Sequence, residues 1–307
     1  MRYDGPKVIK LHHFVAQHPH GGRLRKRRDR RLNAIKPALK NRVWYARALQ
    51  MHLITRLRTA GVDVLESLRP HWPRVTDDEP SDIKTKVREA RAKFHDVGTF
   101  ATGVSTAFVR KNLDTTDERL SNSIKASLGV DVRQTLMEHG PILDEMRRVQ
   151  RENVELITSI PEQYFDDLED RLSKGWNAGD RWESMVDDVA EIGDVAENRA
   201  AFIARDQTNK ANGAFSRVRQ TGLGITRNEW QTAGDDLVRP SHAEMDGEIY
   251  DLDDPPLVDG DPMFPGDDFN CRCVGAPVVD LDEFEDEGPD VGEVEEGDED
   301  FEEADFG

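Results

Sequence analysis

Residues 195–219, VAENRAAFIARDQTNKANGAFSRVR, decide the fold class of this 307-residue chain. Apolar residues recur along this stretch at steps of three and four, which is the spacing of one face of an α-helix. Most of them are small, so the stripe allows another helix to approach closely. The segment therefore predicts a long helix packed within a largely helical region. The stripe consists of Ala196, Ala200, Ile203, Ala204, Ala211, Phe215 and Val218.

Two segments nearer the N-terminus share this helical spacing. The first covers residues 35–57 and is followed by a proline-containing linker over residues 70–80. In the second segment the steps alternate between four and three residues, as in the seam of a coiled coil or a helical hairpin. Packing within the monomer and a seam between chains both fit this pattern. The seam consists of Ile83, Val87, Ala90, Phe94, Val97, Ala101, Val104 and Phe108.

Turn and capping residues predict further helices in the middle of the chain. Gly140-Pro141 ends one segment and places Pro141 in the first turn of the next helix. Residues 159–162, SIPE, form a capping-box pattern, so a separate helix is expected to begin at Ser159. Another helix is expected after Asp180, ahead of the long helix that begins near residue 195.

The composition changes after Gly222. Short apolar segments around Trp230, at Ile249-Tyr250 and over residues 274–279 alternate with Gly, Pro and Asp. Such alternation is typical of short strands joined by ordered loops. The predicted fold class is therefore α+β, with a mostly helical N-terminal and middle region, a small C-terminal module of short strands and loops, and a disordered acidic tail.

Charge is distributed unevenly along the chain. The net charge is −19, yet residues 1–75 contain 18 Lys and Arg against 4 Asp and Glu. Residues 1–31 are predicted to be unstructured, and their basic run is the best candidate for contact with nucleic acid or with an acidic partner surface. A solvated arm that only docks on an acidic protein is the alternative. The run contains Arg23, Arg25, Lys26, Arg27, Arg28, Arg30 and Arg31.

The opposite end of the chain is acidic. Residues 280–307 contain 16 Asp and Glu and no basic residue, which predicts disorder. Over the whole chain Arg outnumbers Lys 30 to 12, and Asp outnumbers Glu 36 to 25. Heavy acidity with little Lys resembles proteins from salt-loving organisms, although a base-rich genome combined with an acidic tail gives a similar bias.

Several classes of protein are excluded by composition. Two cysteines cannot form the several disulfides that stabilise a small secreted protein. No run of 18 apolar residues is present, so no membrane association is expected, and the N-terminus lacks a stretch of signal-peptide type. We therefore expect a soluble protein that is made inside the cell.

The two cysteines lie in an unusual segment, residues 230–273. If residues 271–273 are extended, both sulfurs point to one face, and a disulfide between them would be strained. Three interpretations remain open. His242, Cys271 and Cys273 could bind zinc, with a carboxylate or water completing the shell. A cysteine could be a nucleophile activated by His242. Alternatively the cysteines pack as small apolar residues, while His242 and Arg239 bind carboxylates to fix the loops.

Three stretches of the chain resemble the Mu F-like head morphogenesis family of tailed viruses. They are ARDQTNKANGAFSRVRQTGLG at 204–224, WQTAGDDLVRPSHAEMDG at 230–247 and PGDDFNCRC at 265–273. An inserted Gln207 is a small departure from the helix motif. The resemblance covers about residues 150–279. The matching residues are Arg205, Asn209, Gly222, Trp230, Asp235, Asp236, Arg239, His242, Gly247, Pro265, Gly266, Cys271 and Cys273.

This resemblance implies a non-enzymatic minor head, or minor capsid, protein present in few copies in the virion. Such proteins are associated with the portal vertex inside the head and act in head assembly, in some members with genome packaging or delivery. The implied partners are the portal protein, the major capsid protein and packaged viral DNA. The expected organisation is a basic arm and helix (1–75), a helical region with the seam (76–149), a Mu F-like domain (150–279) and the acidic tail (280–307).

Two other classes of function remain as alternatives. One is a metal- or cysteine-dependent enzyme or toxin-like module that uses His242, Cys271 and Cys273, with zinc as its cofactor. The other is a DNA-binding protein that acts through the basic arm, whose affinity would fall steeply with salt.

Overall fold

The computed structural model describes residue 11 and residues 29–72, 81–137 and 141–280. Helices contain 69% of these residues, and a few short antiparallel strands lie in the C-terminal region. The predicted α+β class is thereby confirmed. Within the described part of the chain, no helix combines the length and apolarity needed to cross a membrane. The acidic tail beyond residue 280 lies outside the described residues.

The helical body is built on two long helices that pack against each other and against the shorter N-terminal ones. A π-helical turn, Gln50–Ile54, joins the first two helices. The helices are α1 (Leu39–Leu49), α2 (Thr55–Leu68), α3 (Ser81–Ala92), α4 (Val97–Leu128), α5 (Arg133–Met137), α6 (Ile142–Ala178) and α7 (Trp182–Gly222).

One apolar core runs through this body. Its largest fully buried side chains include Tyr45, Phe108, Phe165 and Phe215, which come from α1, α4, α6 and α7. The heptad-like seam belongs to the same core, because its residues on α3 and α4 are buried there and half-buried Phe94 packs against it. The seam therefore packs within the monomer, with a turn over residues 93–96 between its two helices. The proposed domain boundaries stay predictions.

Two predicted helix starts are wrong. Helix α6 continues through Ser159, and Pro161 lies inside it. The Ser159 hydroxyl donates to the carbonyl oxygen of Leu156 at 2.8 Å, so it does not cap a new helix. Pro161 and Ile157 are buried in the core, and this packing offsets the backbone hydrogen bond that proline removes. Likewise, α7 is one 41-residue helix rather than two, because its first turns continue the buried face.

The face of α1 also differs from the predicted pattern. Leu39 and Val43 have 61% and 55% of their surface exposed, whereas Tyr45, Leu49 and Leu53 are fully buried. The helical spacing of Ile35, Leu39, Val43, Ala46, Leu53 and Leu57 predicted one buried stripe. That prediction is right at Ile35, Leu53 and Leu57, which are buried, and wrong at Leu39 and Val43.

The C-terminal module contains a four-stranded antiparallel sheet and a two-stranded ribbon. The sheet has the order β1-β6-β2-β3, in which Trp230 pairs with Gly275 and Arg30 with Val279. A short helix, α8 (Pro240–Glu244), lies between β2 and β3. The strands are β1 (Asp29–Arg31), β2 (Arg227–Gln231), β3 (Ile249–Asp251), β4 (Leu257–Val258), β5 (Asp261–Pro262) and β6 (Val274–Asp280).

The prediction that residues 1–31 are unstructured is wrong for the described part of that segment. Residues 29–31 form an edge strand of the sheet. Leu11 is buried in a second apolar cluster, and its N–H donates to the carbonyl oxygen of Leu223 at 2.9 Å. The Arg31 guanidinium lies 2.7 Å from the Glu229 carboxylate, which gives it a partner within the chain. The side chains of the predicted contact residues 23–30 lie outside the described residues.

Candidate functional site

Helix α7 fixes the loop that carries the cysteines. The Asn209 side-chain amide donates to the carbonyl oxygen of Cys271 at 2.7 Å. One residue earlier in the loop, the Asn270 N–H donates to the Asp206 carboxylate at 2.8 Å. Asn209 and Asp206 are both buried, so each polar group is matched by a partner away from water. The long helix predicted from residues 195–219 therefore positions the C-terminal loop.

Trp230 forms the centre of the module's small core. Its side chain is fully buried on β2, and the ring of His242 meets it edge-on with centroids 5.7 Å apart. Tyr250 of β3 packs against it in the same way at 6.3 Å. Gly247 closes the segment between α8 and β3, where its N–H donates to the Trp230 carbonyl oxygen at 2.8 Å.

His242, Cys271 and Cys273 meet behind this tryptophan. His242 Nδ1 lies 3.4 Å from Cys271 Sγ and 3.7 Å from Cys273 Sγ. All three side chains are buried, and their potential ligand atoms lie within 4.8 Å of one another. The structure thus brings together the three residues that the sequence indicated as a metal set, although 29 positions separate His242 from Cys271.

A carboxylate faces the other side of the histidine. His242 Nε2 lies 3.5 Å from Asp268 Oδ2, and this oxygen also lies 2.7 Å from the Arg239 guanidinium. Arg239 additionally donates to the carbonyl oxygen of Phe269 at 2.8 Å. Sequence reasoning missed Asp268. The signal was its place in PGDDFNCRC, three residues before Cys271, on a loop that a buried histidine has to meet.

The two thiols differ in acidity. The pKa of Cys271 is lowered from 9.0 to about 6 by the hydrogen bond from the Cys273 side chain, with further help from the backbone N–H groups of Cys273 and Gly266 and from His242. The pKa of Cys273 is raised, because it lies against the Cys271 sulfur and is buried. Cys271 is therefore the more acidic thiol of the pair, and thiolates are the form of cysteine that binds metals.

The remaining motif residues shape the walls of the site. Asp235 accepts two hydrogen bonds at 2.5 Å from Arg272, and this contact lowers the pKa of Asp235. Asp236 is exposed and takes no part in that pair. Buried Gly266 follows buried Pro265 and has φ +93°, and a Cβ there would lie 3.3 Å from the carbonyl oxygen of Cys273. A side chain at this position would be both strained and crowded.

A pocket of about 410 Å³ opens beside the cluster. Its wall includes the buried cluster itself and Leu237 and Val238 from the loop before α8. Arg205, another motif residue, also lines it, with its Nε buried and without a hydrogen-bond partner. Basic groups therefore line the same pocket as the two thiols and the imidazole. The arginines of its wall are Arg42, Arg205, Arg239 and Arg272.

One region of the chain matches a known protein family. Residues 166–276 match the family model described as Phage Mu protein F like protein. The resemblance predicted from the sequence is confirmed, and every motif residue from Arg205 to Cys273 lies inside the matched range. No solved structure matches the chain.

One similar protein is known from Haemophilus influenzae, where it is described as an uncharacterized protein. It is 30% identical to this chain over 265 residues, which cover 84% of this chain and 58% of that protein. The chain therefore spans less than two thirds of the length of this relative.

Proposed function

We propose that this protein is a minor head protein of a tailed phage that is associated with the portal vertex inside the head and acts in head assembly. The observation that carries the proposal is the match of residues 166–276 to the Phage Mu protein F like family. Portal protein and major capsid protein are its proposed partners, and genome packaging or delivery is its proposed further involvement.

The geometry of the module supports a role in docking. Two motif side chains hold backbone: Asn209 donates to the carbonyl oxygen of Cys271, and Arg239 donates to that of Phe269. Side chains used in this way fix the shape of a surface. A rigid module mounted on a 41-residue helix is suited to join two parts of a larger assembly.

Quantitative mass spectrometry of purified particles and proheads tests this proposal. We expect a low copy number that stays in fixed ratio to the portal protein across preparations. Phage carrying Trp230→Ala should assemble few heads, whereas Val62→Ala, at a side chain of the helical body with 53% of its surface exposed, should assemble normally. Absence of the chain from both particles and proheads would contradict the proposal.

The basic arm is proposed to contact packaged DNA. If the arm neutralises about six phosphates, a plot of log affinity against log salt concentration should have a slope of about −5 on duplex DNA. Gln substitutions at Arg23, Arg25, Lys26, Arg27 and Arg28 should flatten that slope, while Arg69→Gln, at an exposed residue of the helical body, should leave it unchanged. A flat slope for the unaltered chain would remove DNA from the proposed partners.

A cysteine-dependent enzyme is the second candidate. Cys271 Sγ lies 3.4 Å from His242 Nδ1, and His242 Nε2 lies 3.5 Å from Asp268 Oδ2. This is the arrangement of a nucleophile, a base and a carboxylate that orients the base. We place it second because the cysteine side chains have only 4% and 5% of their surface exposed. An activated nucleophile would be alkylated by iodoacetamide within minutes in the folded protein. Resistance until the protein unfolds would remove this candidate.

The host is proposed to be salt-loving, on the basis of the −19 net charge and the excess of Arg over Lys. Circular dichroism during dilution from molar salt tests this. Loss of helical signal on dilution agrees with it, because unscreened carboxylates repel one another. An unchanged spectrum would contradict it.

A further inference from the structure

Both cysteine sulfurs converge on a single nitrogen of His242. An imidazole nitrogen has one in-plane lone pair, so it accepts from one thiol at most. Here both sulfurs lie within 3.7 Å of the same nitrogen, Nδ1, and all three side chains are buried. A single cation bound by all three atoms accounts for both distances, whereas a thiol–imidazole hydrogen bond accounts for one.

The separations also match those of a tetrahedral metal site. With Zn–S bonds of about 2.3 Å and Zn–N bonds of about 2.0 Å, tetrahedral angles place sulfur and nitrogen about 3.5 Å apart. The observed distances from Nδ1 are 3.4 Å to Cys271 Sγ and 3.7 Å to Cys273 Sγ. Thiolates with an imidazole form a soft donor set that favours zinc over magnesium or calcium.

Groups around the ligands hold them in the form that binds metal. Asp268 Oδ2 lies 3.5 Å from Nε2 of His242, so the carboxylate favours the tautomer with its proton on Nε2 and leaves the Nδ1 lone pair free. The Cys273 N–H points to Cys271 Sγ at 3.4 Å, which stabilises negative charge on that sulfur. Carboxylates behind a histidine commonly orient it in zinc sites.

We propose that His242 Nδ1, Cys271 Sγ and Cys273 Sγ bind one Zn²⁺, and that Asp268 positions the histidine. Within the described residues these three side chains are the whole set of donors, so a tetrahedral ion would have a fourth coordination position that they do not fill. Because all three ligand residues line the pocket of about 410 Å³, that position is proposed to face it and to take water or an anionic group from the surrounding solution or partner. The ion would tie α8 to the cysteine loop in a module with few apolar contacts.

Metal analysis of the full chain, purified without chelator, tests the proposal. We expect about one zinc per chain, and substitution with Co²⁺ should give a sulfur-to-cobalt charge-transfer band together with the intense visible bands of a tetrahedral site. The charge-transfer band identifies thiolate ligands and separates this site from metal held by the histidines at residues 12–20. Absence of zinc, or cobalt spectra without that band, would overturn the proposal, whatever happens to the variants.

Matched variants sharpen the test. Cys271→Ser, Cys273→Ser and His242→Ala should each lose the stoichiometric zinc, whereas His71→Ala, at an exposed histidine of the helical body, should retain it. Zinc retained by Cys271→Ser and Cys273→Ser would place the metal elsewhere and overturn the assignment.

The positioning role of Asp268 has its own readout. Asp268→Asn should keep the cobalt charge-transfer band, because the thiolates remain, while zinc affinity falls about 10- to 100-fold in competition with a chromogenic chelator. Asp236→Asn, an exposed neighbour on the loop before α8, should leave the affinity unchanged. Equal affinities for the two variants would contradict the role of Asp268.

Discussion

The helical body and the C-terminal module are stabilised in different ways. Among the described residues, the main cluster of the body contains 36 buried apolar residues, whereas the cluster around Trp230 in the module contains five, two of which are the cysteines. Burial of apolar surface is non-directional, so a large core tolerates small changes in side-chain position. The module has too little apolar surface for this, and its loops depend on individual contacts such as those of Asn209, Arg239 and Asp268.

This difference explains why the residues that resemble the family motif lie in the module. The body needs mainly apolar residues at helical spacing, which many sequences supply. The module needs specific groups, because a missing hydrogen-bond partner leaves a buried polar group unpaired. The residues that resemble the family motif, Arg205 to Cys273, accordingly lie in the module and on the part of α7 that holds it.

Trp230→Ala should have the largest effect and separate the two regions. The fully buried indole is the largest side chain in the module, so its removal should lower the stability of the module by about 3–5 kcal/mol. Hydrogen exchange should show loss of protection in β2, β3 and β6, while α4 and α6 remain protected. Leu237→Ala, at an exposed position, is the control. Equal loss of protection in both regions would show that they unfold as one unit.

Gly61→Ala should destabilise the body, since α2 approaches α6 and α7 closely there. A Cβ at Gly61 would collide with the Tyr164 hydroxyl and lie 3.0 Å from a methyl carbon of Val189. We expect the free energy of unfolding to fall by about 3 kcal/mol in urea denaturation. A rise in the free energy of unfolding would contradict the close contact of Gly61 with Tyr164 and Val189.

Asn209→Ala should weaken the junction between the regions. The substitution removes the donor to the buried carbonyl oxygen of Cys271, which should cost about 2 kcal/mol. We expect hydrogen exchange to increase over residues 264–273 before it increases in α7. Asn198→Ala, at an exposed position of the same helix, should leave both unchanged. Uniform loss of protection along α7 would argue against a local junction.

Gly103→Ala should have the smallest effect and the opposite sign. This glycine lies in the interior of α4, is exposed, and has open space where a Cβ would be. Alanine should therefore raise the free energy of unfolding by about 1 kcal/mol through helix propensity alone. Urea denaturation of this variant and of Gly61→Ala separates the effect of helix propensity from the effect of packing. A decrease in stability would reveal a contact at this position.

Much of the fold followed from local pattern. The helical spacing near residues 35–57, 83–108 and 195–219 predicted helices that the structure contains. Local pattern failed at Ser159 and near residue 195, where start signals lie inside continuous helices. A capping pattern expresses a local preference of about 1 kcal/mol, which burial of a whole helix face overrides.

The site was predictable in its members and less so in its arrangement. His242, Cys271 and Cys273 stood out as rare residue types in a loop-rich segment, and the structure brings them within 4.8 Å of one another. Asp268 was missed, because its place in PGDDFNCRC does not distinguish it from its neighbour Asp267 and aspartate is a common residue in this chain. Arg31 was predicted to contact nucleic acid or a partner, and its salt bridge with Glu229 became visible only once the strands were paired.

The sequence by itself determined the helical class, the uneven charge and the set of residues that the motif requires. These properties depend on the order of neighbours along the chain, which spacing and composition report directly. Tertiary structure decided that the seam packs within the monomer, that Pro161 lies inside a helix, and that Asp268 faces His242. Those outcomes depend on contacts between residues far apart in the chain, whose energies exceed the local preferences that a sequence displays.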